Sequence, residues 1–158
     1  MHKFYVYKLW MVYSSFMVAI TLQIIPFFPQ IWWMQPSWIM ILLIHWIIIL
    51  PNQVNIGTGF ILGLITDIIL GSTLGIHSLS LSILAYLATR NIYFFIYTSI
   101  WQQSFIITFL SFVNQSIIVL AKLLMTKVFS TPEIFWNCLL DGGSWPFLVL
   151  LMRKIYQN

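Results

Sequence analysis

Between Pro51 and Tyr86 a single carboxylate, Asp67, stands in an apolar run with glycines spaced around it. Gly59, Gly63, Asp67 and Gly71 follow one another at intervals of four residues. On a helix that spacing keeps the four near one face, drifting slowly around it. Small residues at i and i+4 admit a second backbone to close range, the small-xxx-small arrangement of membrane helices. The neighbours of Asp67 are Leu64, Ile65, Ile68 and Ile69. A carboxylate is costly in hydrocarbon, so Asp67 is expected to turn toward protein or water.

Composition identifies the solvent. Of 158 residues, 61% are hydrophobic and 6% are charged, with a mean hydropathy of +0.95. A soluble domain carries about a quarter charged residues. A globule of this size cannot hide so much apolar surface, so the chain reads as an all-α polytopic membrane protein. The net charge of +4 is no sign of nucleic-acid binding, because the few basic residues lie mostly at segment ends. One cysteine, Cys138, excludes an intrachain disulfide.

Residues 1–158 read as one transmembrane domain with six spans, over about 9–25, 38–50, 56–70, 76–89, 104–125 and 134–152. The first follows Lys3 and Lys8 as a signal peptide would, but no A-x-A-like site follows, so it is expected to be retained. Pro26 and Pro29 close it, since proline cannot continue the ladder. Trp32, Trp33 and Trp38 read as interfacial aromatics. Spans two to four are short against the roughly 20 residues of a membrane crossing. They must borrow length from their flanks, be buried among longer helices, or thin the bilayer. Gly142, Gly143 and Pro146 predict a kink in the last span.

Six spans place both termini on one side. Lys3, Lys8, Arg90, Arg153 and Lys154 share that side, and Lys122 and Lys127 oppose them, which predicts cytoplasmic termini. The loop Pro51 to Asn55 is then cytoplasmic, and Gly71 to Gly75 and the turn at Thr131-Pro132 face outward. In the fourth span Ser78, Ser82, Ala85 and Thr89 form a stripe of small residues, the natural partner of the glycine row. Ser104, Thr108, Ser111, Gln115 and Lys122 align on the fifth span, and Asn137, Asp141 and Ser144 on the sixth. Asp67, Lys122 and Asp141 all fall in the outer half, so Lys122 is expected to neutralise Asp67, Asp141 or both. Asp67 otherwise serves to hold the third and fourth spans together, or to contact a partner. Asn52, Asn55 and Thr58 are placed to cap the third span. Gly57, Gly59, Gly63, Gly71 and Gly75 suit close packing and turns rather than a ligand cradle.

Reactive signatures are missing. There is no G-x-S-x-G and no H-E-x-x-H. His45 and His77 fall at different depths and are not expected to share a metal; His45 reads as a hydrogen-bonded packing residue and Cys138 as a small apolar filler. Asp67 and Asp141 have the types a paired-aspartate intramembrane protease needs, but its longer motifs are absent. No cofactor is expected.

The tract P-N-Q-V-N-I-G-T-G-F, then G-x-x-x-D-x-x-x-G-S-T-L-G, then S-L-S-x-x-A-Y-L resembles the rod shape-determining membrane protein MreD family, of the proteobacterial type. L-Q-I-I-P at the end of the first span, W-Q-Q (Trp101, Gln102, Gln103), W-P (Trp145, Pro146) and L-L-M-R-K near the end agree. The resemblance covers nearly the whole chain. It implies a bundle similar to the substrate-binding subunits of energy-coupling-factor transporters, in the bacterial inner membrane. It also implies a non-enzymatic scaffold of the elongation complex that binds MreC directly. Through MreC it would link MreB filaments to RodA and its transpeptidase partner. The alternative is a small-molecule binding or transport subunit, on the strength of Asp67, Asp141 and the polar stripes.

Overall fold

Residues 2–25, 30, 35–127 and 133–157 are described by a computed structural model. Pro26, Pro29, Trp32, Trp33 and the Thr131-Pro132 turn lie outside the described residues. Among the described residues the chain is all-helical: α1 (His2–Ile24), α2 (Trp38–Ile49), α3 (Ile56–Leu70), α4 (Ile76–Arg90), α5 (Ile92–Tyr97), α6 (Ile100–Thr126) and α7 (Glu133–Gln157). Six were expected. The seventh is α5, a short helix between the expected fourth and fifth spans.

α2 lies at the centre and touches α1, α4, α5 and α7. Its sequence WIMILLIHWIII is apolar on every side, and residues 39–47 are all buried. A helix without a polar face belongs inside a protein or a membrane. Of the three routes open to a short span, burial among longer helices is the one α2 takes. At 12 residues it is about 18 Å long, against roughly 30 Å of hydrocarbon. α6, with 27 residues and about 40 Å, is the one described helix long and apolar enough to cross a membrane by itself.

The distribution of polarity is inverted relative to a water-soluble protein. Trp10, Phe105, Ile68 and Leu124 are each more than two-thirds exposed, whereas Asp67, Asp141, Ser80 and Ser111 are completely buried. In hydrocarbon the apolar side chains face out and the polar ones must find partners within the protein.

Two helical hairpins pack on α2. In the first, α3 lies against α4 at the glycine row. A Cβ on Gly63 would overlap the backbone of Ser78 and His77, and one on Gly59 would press on the Leu81 carbonyl oxygen and the Ala85 methyl. In the second, α6 lies against α7 at Gly142, where a Cβ would collide with the Thr108 hydroxyl. Gly142 thus also serves as a contact point, and α7 runs as one helix through Gly142, Gly143 and Pro146.

Local chemistry sets the helix ends. α3 starts at Asn55, whose Oδ1 accepts from the Gly57 amide at 3.1 Å while Thr58 Oγ1 accepts from the Asn55 amide at 3.5 Å. Asn52 takes no part in this cap. α3 ends at Gly71, in the left-handed region at φ 62°, where glycine carries no Cβ penalty. α6 opens with Gln102 Oε1 accepting from the Ser99 amide. Gln103 then secures α5: its Nε2 donates to the carbonyls of Phe95 (2.6 Å) and Thr98 (3.3 Å), and its Oε1 accepts from Trp145 Nε1 at 3.2 Å. Replacing Asn55 with Ala is expected to cost about 1 kcal/mol of stability. It should appear as a lower Tm in detergent, with Asn55→Asp retaining most of the difference.

Candidate functional site

The two buried aspartates perform the same task at different helix starts. A helix begins with amides that have no partner inside the helix, and its N-terminus carries partial positive charge. The first residue before α4 is Gly75, at φ 105°, which has no side chain to cap with. Asp67 supplies the acceptors from the end of α3. Its Oδ2 accepts from the Gly75 amide at 2.9 Å, and its Oδ1 from the His77 amide at 3.2 Å. Oδ1 also accepts from Ser72 Oγ at 2.9 Å and meets His77 Nδ1 at 2.7 Å. The carboxylate therefore binds the α3–α4 turn and the head of α4 into one unit.

Asp141, on α7, caps the start of α2. Its Oδ1 accepts from the Ser37 amide at 2.6 Å, and its Oδ2 from the Ser111 hydroxyl on α6. The start of α2 is thereby joined to the distant α6–α7 hairpin at this carboxylate. A further tie joins α4 to α6, where the buried Ser80 hydroxyl donates to Asn114 Oδ1.

The expected neutralisation by Lys122 is not observed. Among the described residues the one acid–base contact within 4.0 Å is His77 to Asp67, and Lys122 reaches neither aspartate. The reason is that hydroxyls, backbone amides at helix starts and the His77 ring already satisfy both carboxylates. Nor do Asp67 and Asp141 share a hydrogen-bond partner, as a catalytic aspartate pair would. Among the described residues no three His, Cys, Asp or Glu side chains gather as metal ligands.

The other expected positions separate into classes. Gly59 and Gly63 form the α3–α4 contact, Gly71 and Gly75 shape the turn beneath Asp67, and Gly57 gives its amide to the Asn55 cap. Gln115, Lys122 and Asn137 line a polar cavity of about 520 Å³. It lies where the ends of α1, α3 and α6 meet the starts of α2, α4 and α7. His45 packs edge-on against Trp145 with ring centroids 6.0 Å apart. The hydrogen bond expected of it is missing at Nε2, which has no partner among the described residues. Cys138 is buried and free.

The sequence does not single out Ser80 or Asn114, and it presents His77 and Gln103 without the roles they take here. For His77 the available signal was a histidine just after a glycine turn that follows a helix ending in an aspartate. For Asn114 it was the short polar run Asn114, Gln115 and Ser116 inside an apolar helix.

An apolar exterior, carboxylates consumed as internal caps and close glycine contacts define a helical membrane protein organised around packing. The family model described as "MreD: rod shape-determining protein MreD" matches residues 3–155. A rod shape-determining protein MreD of Haemophilus influenzae is 34% identical over 145 residues, covering 92% of this chain and 90% of that protein. The chain belongs to the MreD family of rod shape-determining proteins. No solved structure matches it.

Proposed function

We propose that this protein is a non-enzymatic scaffold for rod-shape determination that crosses the bacterial inner membrane six times with both termini in the cytoplasm. The crossings are α1, α2, α3, α4, α6 and α7, the arrangement implied by the resemblance to energy-coupling-factor substrate-binding subunits. The scaffold binds the membrane helix of MreC directly. Through MreC it joins MreB filaments to RodA and its transpeptidase partner.

The observation that carries this reading is an apolar groove of about 430 Å³ between α1 and α7, floored by α2. Met11, Ser14, Val18 and Leu22 step along one wall at helical intervals, a length of about 16 Å. Its two hydroxyls are already used: Ser14 Oγ donates to the Met11 carbonyl, and Ser15 Oγ donates to Val12 and accepts from Trp46 Nε1. Such a groove selects an occupant by shape and van der Waals contact, as a transmembrane helix is selected. Nothing in it invites a reactive substrate.

Single cysteines at Val18 or Leu151, in a Cys138→Ser background, are expected to cross-link to cysteines along the MreC membrane helix in intact membranes. Phe109, exposed on α6, should not. Cross-linking at Phe109 with none at Val18 or Leu151 would place the partner on another face.

A further inference from the structure

The cavity at the end of the bundle contains groups that neither the fold nor the scaffold role uses. Two amide oxygens on its wall, Gln23 Oε1 and Asn137 Oδ1, are buried and have no hydrogen-bond partner among the described residues. Buried polar atoms ordinarily have one. Lys122 lines the same cavity, and its charge is unopposed by any carboxylate within 4.0 Å among the described residues. His77 lines it as well, with Nδ1 committed to Asp67, so the ring's remaining polar atom is Nε2. The cavity thus offers one positive charge and two unsatisfied amides set around it.

Depth narrows the choice of ligand. Lys122 lies four residues, about 6 Å, before the end of α6 at Thr126. A helix of about 40 Å overhangs a hydrocarbon layer of roughly 30 Å by about 5 Å at each end. Lys122 therefore sits at the boundary between hydrocarbon and headgroups. Lipid phosphate groups are concentrated at that level. The amides call for hydroxyls, which both donate and accept and so satisfy an amide in either orientation. Ile69, Leu70 and Ile118 give the cavity an aliphatic side against which an acyl chain can lie.

We propose that this cavity is a binding site for a polyol phosphate, with the phosphate on Lys122 and the hydroxyls on Gln23 and Asn137. The group comes either from the headgroup of a phosphoglycerol lipid or from a free glycerol phosphate. The site is separate from the groove between α1 and α7 and does not depend on what fills that groove.

The test uses the full-length protein in detergent, with binding followed by thermal shift and native mass spectrometry. Short-chain phosphatidylglycerol is expected to raise Tm more than phosphatidylcholine of the same chain length, which has no headgroup hydroxyls and no net charge. Lys122→Gln is expected to weaken phosphatidylglycerol binding about tenfold, the loss of one charge-assisted contact. Lys127→Gln, beyond the end of α6, should leave it unchanged. Asn137→Leu provides a second variant that removes an amide instead of the charge. Glycerol phosphate competing with the lipid in the wild type and not in Lys122→Gln would identify the free compound as a source. Its failure to compete would assign the site to lipid. Equal binding of the two lipids, or a phosphatidylglycerol affinity unaltered in both Lys122→Gln and Asn137→Leu, would overturn the proposal and leave a cavity filled by water.

Discussion

Gly63→Ala is expected to prevent α3 and α4 from docking. The added methyl would occupy space held by the Cα and amide of Ser78 and the carbonyl carbon of His77. These are backbone atoms, so no rotamer change relieves the overlap and one helix must move. Overpacking a core costs about 1–3 kcal/mol where side chains can shift, and more where they cannot. The same displacement would carry His77 away from Asp67, so the cap on α4 fails together with the contact. Gly143→Ala is the matched control, because a Cβ there meets nothing within 4 Å. It is expected to be neutral or to add up to about 1 kcal/mol through helix propensity. Accumulation in the membrane, Tm in detergent and restoration of rod shape in a strain lacking the gene should all fall for Gly63→Ala and hold for Gly143→Ala. Equal behaviour of the two variants would contradict the α3–α4 contact described above.

Asp67→Ala is expected to cost about 3–5 kcal/mol, on the basis of roughly 1 kcal/mol or more for each donor left without its acceptor. Four donors are affected: the Ser72 hydroxyl, the Gly75 and His77 amides, and His77 Nδ1. Asp67→Asn is expected to recover only part of this. Its one carbonyl oxygen replaces two carboxylate oxygens, and its NH2 group would face a donor. Lys122→Ala should leave Tm unchanged, since Lys122 contacts neither carboxylate. This pair of results separates the cap from the ion pair that the sequence suggested. If Lys122→Ala lost as much stability as Asp67→Ala, the lysine would be the true partner.

What could be read in the sequence follows from what periodicity reports. A residue's place on its own helix is set by local spacing, so the glycine row, the small stripe facing it and the Asn55–Thr58 cap were all visible before any coordinates. Contacts that join helices are not encoded in spacing. Asp67 and His77 are ten residues apart across a glycine turn, where neither the helical nor the strand period applies. Asn114 was missed because the line drawn through Ser104, Thr108, Ser111, Gln115 and Lys122 follows a seven-residue repeat. The buried face, with Ile107, Ser111, Asn114 and Ile118, has the same four-three-four spacing but is rotated around the helix, and spacing alone does not say which of the two lines faces inward. α5 was invisible because six residues are too few to show a period. Lys122 was assigned a carboxylate on charge alone, before it was evident that helix starts had claimed both.

The cap on α2 has a consequence for how the chain is made. The acceptor for the Ser37 amide lies 104 residues further along, in α7, which leaves the ribosome after all the other helices described here. α4 receives its closure from the helix immediately before it, and so can mature as soon as that hairpin is inserted. The innermost helix must instead keep its head unfinished until α7 has been made. Completion of the bundle's centre is thereby tied to arrival of α7, so a polypeptide terminated before α7 retains the hairpin but not the locked interior.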